Sequence, residues 1–60
     1  MNEIVQNLKR IEQELDAIRL IVKPMIPKNP KREDNIWECF NCTGGAASAV
    51  KRAYEAMERA

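Results

Sequence analysis

Residues 1–22 repeat large apolar side chains at alternating steps of three and four positions. This spacing is a heptad pattern, which places its a and d positions in one stripe along an α-helix. A single helix cannot bury such a stripe, so the chain must pack it against copies of itself or against its own second half. The predicted self-association residues are Ile4, Leu8, Ile11, Leu15, Ile18 and Val22.

The predicted first helix spans residues 3–22 and ends before Pro24, whose ring excludes an α-conformation at the preceding residue. Leucine at a with isoleucine at d favours more than two helices in parallel coiled coils. We therefore predict a parallel tetramer first and a dimer next. In a parallel assembly, Glu14 would pair with Arg19 of a neighbouring helix. The alternative is that this helix packs only against the second helix of its own chain.

The composition is that of one small domain. A chain of 60 residues is near the size at which a single core is marginally stable, and such chains usually add a disulfide, a metal or an oligomer interface. Ten basic and nine acidic residues nearly cancel, so no global field directs the chain to nucleic acid or membrane. The first helix resembles neither a signal peptide nor a membrane span. We predict an intracellular, cytoplasmic protein.

A proline-rich linker is predicted over residues 23–35. Pro24, Pro27 and Pro30 recur at every third position, which is one turn of polyproline II, so the linker should be an extended spacer. The segment also fits the pattern of proline-rich ligands, which would make it a docking peptide for another protein. Its basic residues would contact phosphates if the protein bound nucleic acid. They are Lys28, Lys31 and Arg32.

Residues 36–45 are predicted to form a turn that carries two cysteines. Cys39 and Cys42 have the Cys-x-x-Cys spacing that lets two thiolates grip one tetrahedral metal. With Trp37, the motif resembles the first half of many small zinc fingers. Because no histidine or further cysteine exists, a four-thiolate zinc site needs two chains. That arrangement is similar to the zinc hook of the coiled-coil DNA-repair ATPases, except that Phe40 replaces the hook's usual proline.

Other interpretations of the two thiols remain open. They would form a redox pair if the turn opens a helix, ligate an iron–sulfur cluster shared by two chains, or remain free or locally disulfide-bonded. Trp37 and Phe40 would either cover the end of the first helix or, through Trp37, anchor a partner protein.

The second helix is predicted over residues 46–59, capped by Thr43 or Ser48 after the glycine pair. Its apolar residues again step by four and three. Lys51 and Arg52 would join the basic linker in a nucleic-acid contact. The apolar positions are Ala46, Val50, Ala53, Met57 and Ala60.

These observations predict an all-α chain of two helices that forms a single domain over residues 1–60. The leading hypothesis is a non-catalytic, homo-oligomeric scaffold with zinc shared between chains at Cys39 and Cys42. A nucleic-acid-binding regulator and a thiol redox protein are the alternatives. Hydrolytic or acid–base catalysis is not expected, because the sequence has no histidine and no nucleophile–base pair.

Overall fold

The computed structural model describes residues 2–31 and 34–60, without the side chain of Asn2. Helix α1 spans Asn2–Val22, a short 3₁₀ helix follows at Lys23–Met25, and helix α2 spans Asn35–Arg59. All regular structure in the described ranges is helical. The prediction of an all-α chain with two main helices is therefore confirmed.

Helix α1 ends where the sequence predicted. Pro24 lies in the first turn of the 3₁₀ helix, where its missing N–H removes no hydrogen bond. Ile26 then donates its backbone N–H to the Lys23 carbonyl at 3.2 Å and adopts an extended conformation. Glu3 in the first turn and Arg19 in the last turn complement the helix dipole.

The linker reverses the chain, and the two helices then pack side by side. Because Pro24 belongs to the 3₁₀ helix, the three prolines do not form one continuous polyproline rod. The extended residue Asp34 precedes α2, and its carbonyl accepts the Glu38 N–H at 2.9 Å. Its carboxylate accepts the Lys31 N–H at 2.8 Å, which closes the turn. The linker thus ends in a local polar turn.

The predicted turn over residues 36–45 is wrong, because α2 begins at Asn35 and runs through both cysteines and both glycines. Neither glycine has a positive φ. Thr43 does not cap a helix start; its hydroxyl donates within the helix to the carbonyls of Cys39 at 2.8 Å and Phe40 at 3.0 Å. Continuing the helix lets Ile36 and Phe40 pack, which offsets a cost of about 1 kcal/mol per glycine.

The packed seam between the antiparallel helices follows a three–four spacing on each. Among the described residues only Ala47 is fully buried, at 8% exposure, and the other seam residues are half-buried. The hairpin is thin, with extents of 43 × 17 × 13 Å. The seam positions are Val5, Leu8, Glu12, Leu15, Arg19 and Val22 on α1, and Ile36, Phe40, Thr43, Ala47, Val50, Tyr54 and Met57 on α2.

Candidate self-association surface

One side of the hairpin is closed by contacts between charged or polar groups and the opposite helix. Lys9 Nζ lies 3.1 Å from Glu58 Oε2 and 5.4 Å from the centroid of the Tyr54 ring. Arg19 lies over the Phe40 ring, with Cζ 4.1 Å from its centroid, and its Nε donates to the Phe40 carbonyl at 3.4 Å. We call this the bridged side, defined by Lys9, Arg19, Gly44 and Glu58.

Because Gly44 has no side chain, the Arg19 guanidinium can lie close to the backbone of α2. A Cβ at this position would lie 2.9 Å from Arg19 Nη2 and 3.1 Å from Cζ, so the guanidinium would have to shift. Arg19 contacts α2 of its own chain, and its predicted pairing with Glu14 of a neighbouring chain stays a prediction. A cation over an aromatic ring is stabilised by the ring's negative face, so this contact fixes the register of the two helices near the linker.

An isoleucine ridge, Ile4, Ile11 and Ile18, runs along α1 outside the seam. Each residue directly precedes a seam position, and the three are 49%, 42% and 42% exposed. Met25 continues the seven-residue spacing in the 3₁₀ helix and is 57% exposed. These side chains were predicted to be the d positions of a buried stripe. Helix α2 covers the other half of that stripe and leaves the ridge open.

A small-residue stripe runs along α2, also outside the seam. Its seven members step by three and four, all are exposed, and none is larger than cysteine. Val50 and Met57, which the sequence had grouped with the alanines, lie in the seam, whereas the alanines face away from it. The stripe consists of Cys39, Cys42, Ala46, Ala49, Ala53, Ala56 and Ala60.

The ridge and the stripe lie on the same side of the hairpin. Each residue of an α-helix turns the side-chain direction by about 100°, and both sets contain the residues directly before seam positions: Ile11 precedes Glu12, and Ala46 precedes Ala47. When two antiparallel helices face each other through their seams, the residue before a seam position points to the same side of the hairpin on both helices. Lys9, Gly44 and Glu58 each follow a seam position, so they lie on the opposite side, and the seam residue Arg19 reaches towards Gly44 there. We call the side with the ridge and the stripe the open side.

Tyr54 links the two helices within the seam. Its hydroxyl donates to Glu12 Oε1 at 2.9 Å. This hydrogen bond, together with desolvation and the nearby charges of Glu12, Glu55 and Glu58, raises the pKa of Tyr54 from 10.0 to about 12. The phenol is therefore held neutral as a donor. Glu12 thus occupies a seam position as the acceptor for this hydroxyl.

Cys39 and Cys42 are free, exposed and one turn apart on the small-residue stripe. No group of three or more histidine, cysteine, aspartate or glutamate side chains arranged to hold a metal occurs within residues 2–31 and 34–60. A four-thiolate zinc site therefore still requires a second chain, and it stays a prediction. Cys39 lies in the second turn of α2, whereas the effect of a helix N-terminus is confined to the first turn.

The predicted nucleic-acid residues are spread over the length of the hairpin. Lys28 and Lys31 are exposed in the linker, while Lys51 and Arg52 are exposed in the second half of α2. Lys51 follows the start of α2 by roughly 24 Å of helix at 1.5 Å per residue. Arg32 lies outside the described residues. The structure thus does not gather these groups into one patch, and nucleic-acid binding stays a prediction.

Trp37 and Phe40 are both half-buried near the linker, with ring centroids 6.4 Å apart and ring planes 12° from parallel. Phe40 is held beneath Arg19. The sequence contains a pattern that predicts a helix in this region, because Ile36, Phe40 and Thr43 continue the three–four spacing upstream of Ala47. That periodicity, not the Cys-x-x-Cys motif, identifies the segment as helix.

Comparison of the chain with protein-family models, curated proteins and solved structures found no match. Neither helix has, within its described residues, an apolar stretch long enough to cross a membrane. The surface on the open side is therefore the feature from which a function is inferred.

Proposed function

We propose that this protein is a self-associating interaction module in which two hairpins pair through their open sides into a four-helix bundle. The observation that carries the proposal is the exposed isoleucine ridge beside the small-residue stripe, on a chain whose described part buries only Ala47 completely. Half-buried Leu8, Leu15 and Val50 border the same side, and pairing would enclose them.

The exposed area supports pairing with a second copy. One hairpin exposes 4851 Å², whereas a compact monomer of 6.9 kDa exposes roughly 4,000 Å². Packing two hairpins into one compact body would remove roughly 3,000 Å² from water. Obligate homodimers bury roughly 2,000–5,000 Å² in total, so the open side has the area that such an interface needs.

The bundle is non-catalytic in this proposal. The dimer would act as a scaffold that presents two copies of any binding site on its remaining surface. A partner that engages both copies would bind with higher avidity than it binds one chain. The linker, with Lys28 and Lys31, and the half-buried Trp37 lie outside the ridge and the stripe. They stay available to a further partner in the paired state.

Sedimentation equilibrium tests the proposal directly. The native chain should sediment at twice its 6.9 kDa mass and dissociate on dilution. Ile11→Asp should shift the species to the chain mass, because a carboxylate would be buried against apolar groups. We expect a rise in the dissociation constant of at least about a hundredfold, equivalent to about 2.8 kcal/mol.

Leu20→Asp is the matched control. Leu20 is on the same helix and is 74% exposed, but it belongs to neither the ridge nor the seam. The control should remain dimeric, and circular dichroism should show that both variants keep their helices. A native chain at the chain mass under all concentrations would disprove the proposal, as would equal effects of the two substitutions.

A further inference from the structure

We infer that the second copy docks with its linker at the same end, so that the isoleucine ridge of each chain lies on the small-residue stripe of the other. This inference rests on the proposed function and adds the orientation of the partner. We call it the same-end arrangement. It follows from the sizes of the side chains on the open side, from their positions along the hairpin, and from the charges at the edge of this side.

Two symmetric ways of pairing the open sides exist. A two-fold axis that makes one patch contact itself lies in the plane of the interface. If the axis runs along the helices, the linkers share one end and α1 lies on α2 of the second copy. If the axis runs across the helices, the linkers lie at opposite ends, and α1 lies on α1 while α2 lies on α2.

Side-chain size favours the same-end arrangement. Across the seam, Arg19 lies beside Gly44, and Glu12 contacts Tyr54. These neighbours place Ile18 at the same height along the hairpin as Ala46. They place Ile11, one heptad towards the N-terminus, at the same height as Ala53. With linkers at one end, each isoleucine faces an alanine of the second copy. Large residues facing small ones interdigitate at native packing density.

The opposite-end arrangement lacks this fit. When the two hairpins overlap along their full length, it places Ile11 against Ile18 of the second copy and Ala46 against Ala53. Isoleucines in contact hold the two α1 helices apart, whereas alanines can pack only when the two α2 helices approach closely. A hairpin whose helices are joined along their seam cannot satisfy both spacings without leaving voids, which are destabilising.

The charges at the outer edge of the open side also favour the same-end arrangement. Glu14 borders the ridge between Ile11 and Ile18, and Arg52 directly precedes Ala53 at the edge of the stripe. In the same-end arrangement Glu14 lies beside Arg52 of the second copy, the flanking position at which coiled coils form interhelical ion pairs. In the other arrangement Glu14 lies beside Glu14. Within residues 2–31 and 34–60 the ion pair found is Lys9–Glu58, so both groups remain available.

Cross-linking of mixed single-cysteine chains tests the inference. All chains carry Cys39→Ser and Cys42→Ser, so that only the introduced thiols react. Under mild oxidation, a mixture of Ile18→Cys and Ala46→Cys chains should form a covalent heterodimer in high yield. A mixture of Ala46→Cys and Ala53→Cys chains should form little. Each variant oxidised alone is the background control.

The outcomes separate the two proposals. Cross-linking of Ala46→Cys with Ala53→Cys would overturn the same-end arrangement while leaving the self-association proposal in place. Absence of cross-links in both mixtures, with the mass still twice that of the chain, would also overturn the arrangement. If the serine background already sediments at the chain mass and the native protein does too, the proposed function itself fails.

A charge swap gives a second readout that needs no cysteine. Glu14→Arg should raise the dissociation constant roughly two- to tenfold, and adding Arg52→Glu in the same chain should restore the native value. The opposite-end arrangement predicts no restoration, because Glu14 then faces its own copy. Added salt should reduce the difference between the variants, since exposed ion pairs are screened. Failure of the double variant to recover would contradict the inference.

Discussion

The bridged side and the open side of the hairpin differ in whether polar side chains connect the two helices. On the bridged side, Lys9 and Arg19 reach across to Glu58 and Phe40 and connect the two helices of one chain. On the open side, large and small apolar residues lie next to each other, and within residues 2–31 and 34–60 no ridge or stripe side chain makes such a connection. Polar contacts between exposed groups contribute about 0–1 kcal/mol, so the bridged side sets register, while the open side holds most of the unused hydrophobic free energy.

This contrast also explains the size of the predicted assembly. The heptads of α1 favour a core of more than two helices. In the proposed bundle that number is reached by two chains, since each supplies α1 and α2. The sequence-based choice of a tetramer assumed that only the first helix entered the core.

The largest expected effect comes from filling the small-residue stripe. Ala53→Leu should weaken the dimer strongly, because the added side chain occupies the space that the ridge of the second copy requires. Overpacking typically costs about 1–3 kcal/mol, and a dimer contains the substitution twice. We therefore expect the dissociation constant to rise roughly a hundredfold or more, measured by sedimentation.

Ser48→Leu is the matched control for that experiment. Ser48 is exposed on α2 and lies four residues after Gly44, on the bridged side. The same added side chain should leave the dissociation constant within about threefold of the native value, a difference below about 0.7 kcal/mol. A loss of dimer in the control alone would show that the bridged side, and not the open side, is the interface.

An intermediate effect is expected at the glycine pair. Gly45→Ala should stabilise the protein by about 0.5–1 kcal/mol, because alanine is the better helix former and the new Cβ meets open space. Gly44→Ala should gain less, because its Cβ would displace Arg19 from Phe40 and lose a contact of about 0.5–1 kcal/mol. Urea denaturation at one protein concentration measures the difference. Equal gains would show that the Arg19 contact does not hold the helices together.

The smallest expected effect concerns Tyr54 and pH. Because its pKa is raised from 10.0 to about 12 in the folded chain, the stabilisation from its neutral hydroxyl is fully present below pH 10. It is lost as the pH rises through about 12. Thermal unfolding between pH 9 and 12 should therefore show a decline that Tyr54→Phe lessens. An unchanged slope in the variant would assign the decline to other groups.

Much of α1 was predictable because its features are local. The heptad spacing and the proline after the last turn predicted a helix over residues 3–22, and the structure has it at Asn2–Val22. The ridge residues Ile4, Ile11 and Ile18 were also identified as self-association candidates. The structure divides the predicted stripe, because Leu8, Leu15 and Val22 lie in the seam with α2 whereas the ridge lies outside it.

The N-terminal half of α2 was not predicted, because its composition is that of a turn. Two glycines and a Cys-x-x-Cys motif suggest a turn when the motif is taken alone, and the cost of helical glycine is real. The packing of Ile36 and Phe40 against α1 outweighs it. The sequence analysis grouped Ala46, Ala53 and Ala60 with Val50 and Met57 in one apolar stripe. In the structure Val50 and Met57 lie in the seam, whereas the three alanines are exposed outside it.

The sequence by itself determined that this chain forms two amphipathic helices and carries more apolar stripe than one helix contact can bury. These properties depend on periodicity, which each segment carries alone. Only the tertiary structure decided that the helices are antiparallel neighbours in one chain and that the ridge and the stripe share one side. The physical reason is that the register depends on contacts between distant residues, such as Arg19 with Phe40 and Tyr54 with Glu12. No local pattern contains that information.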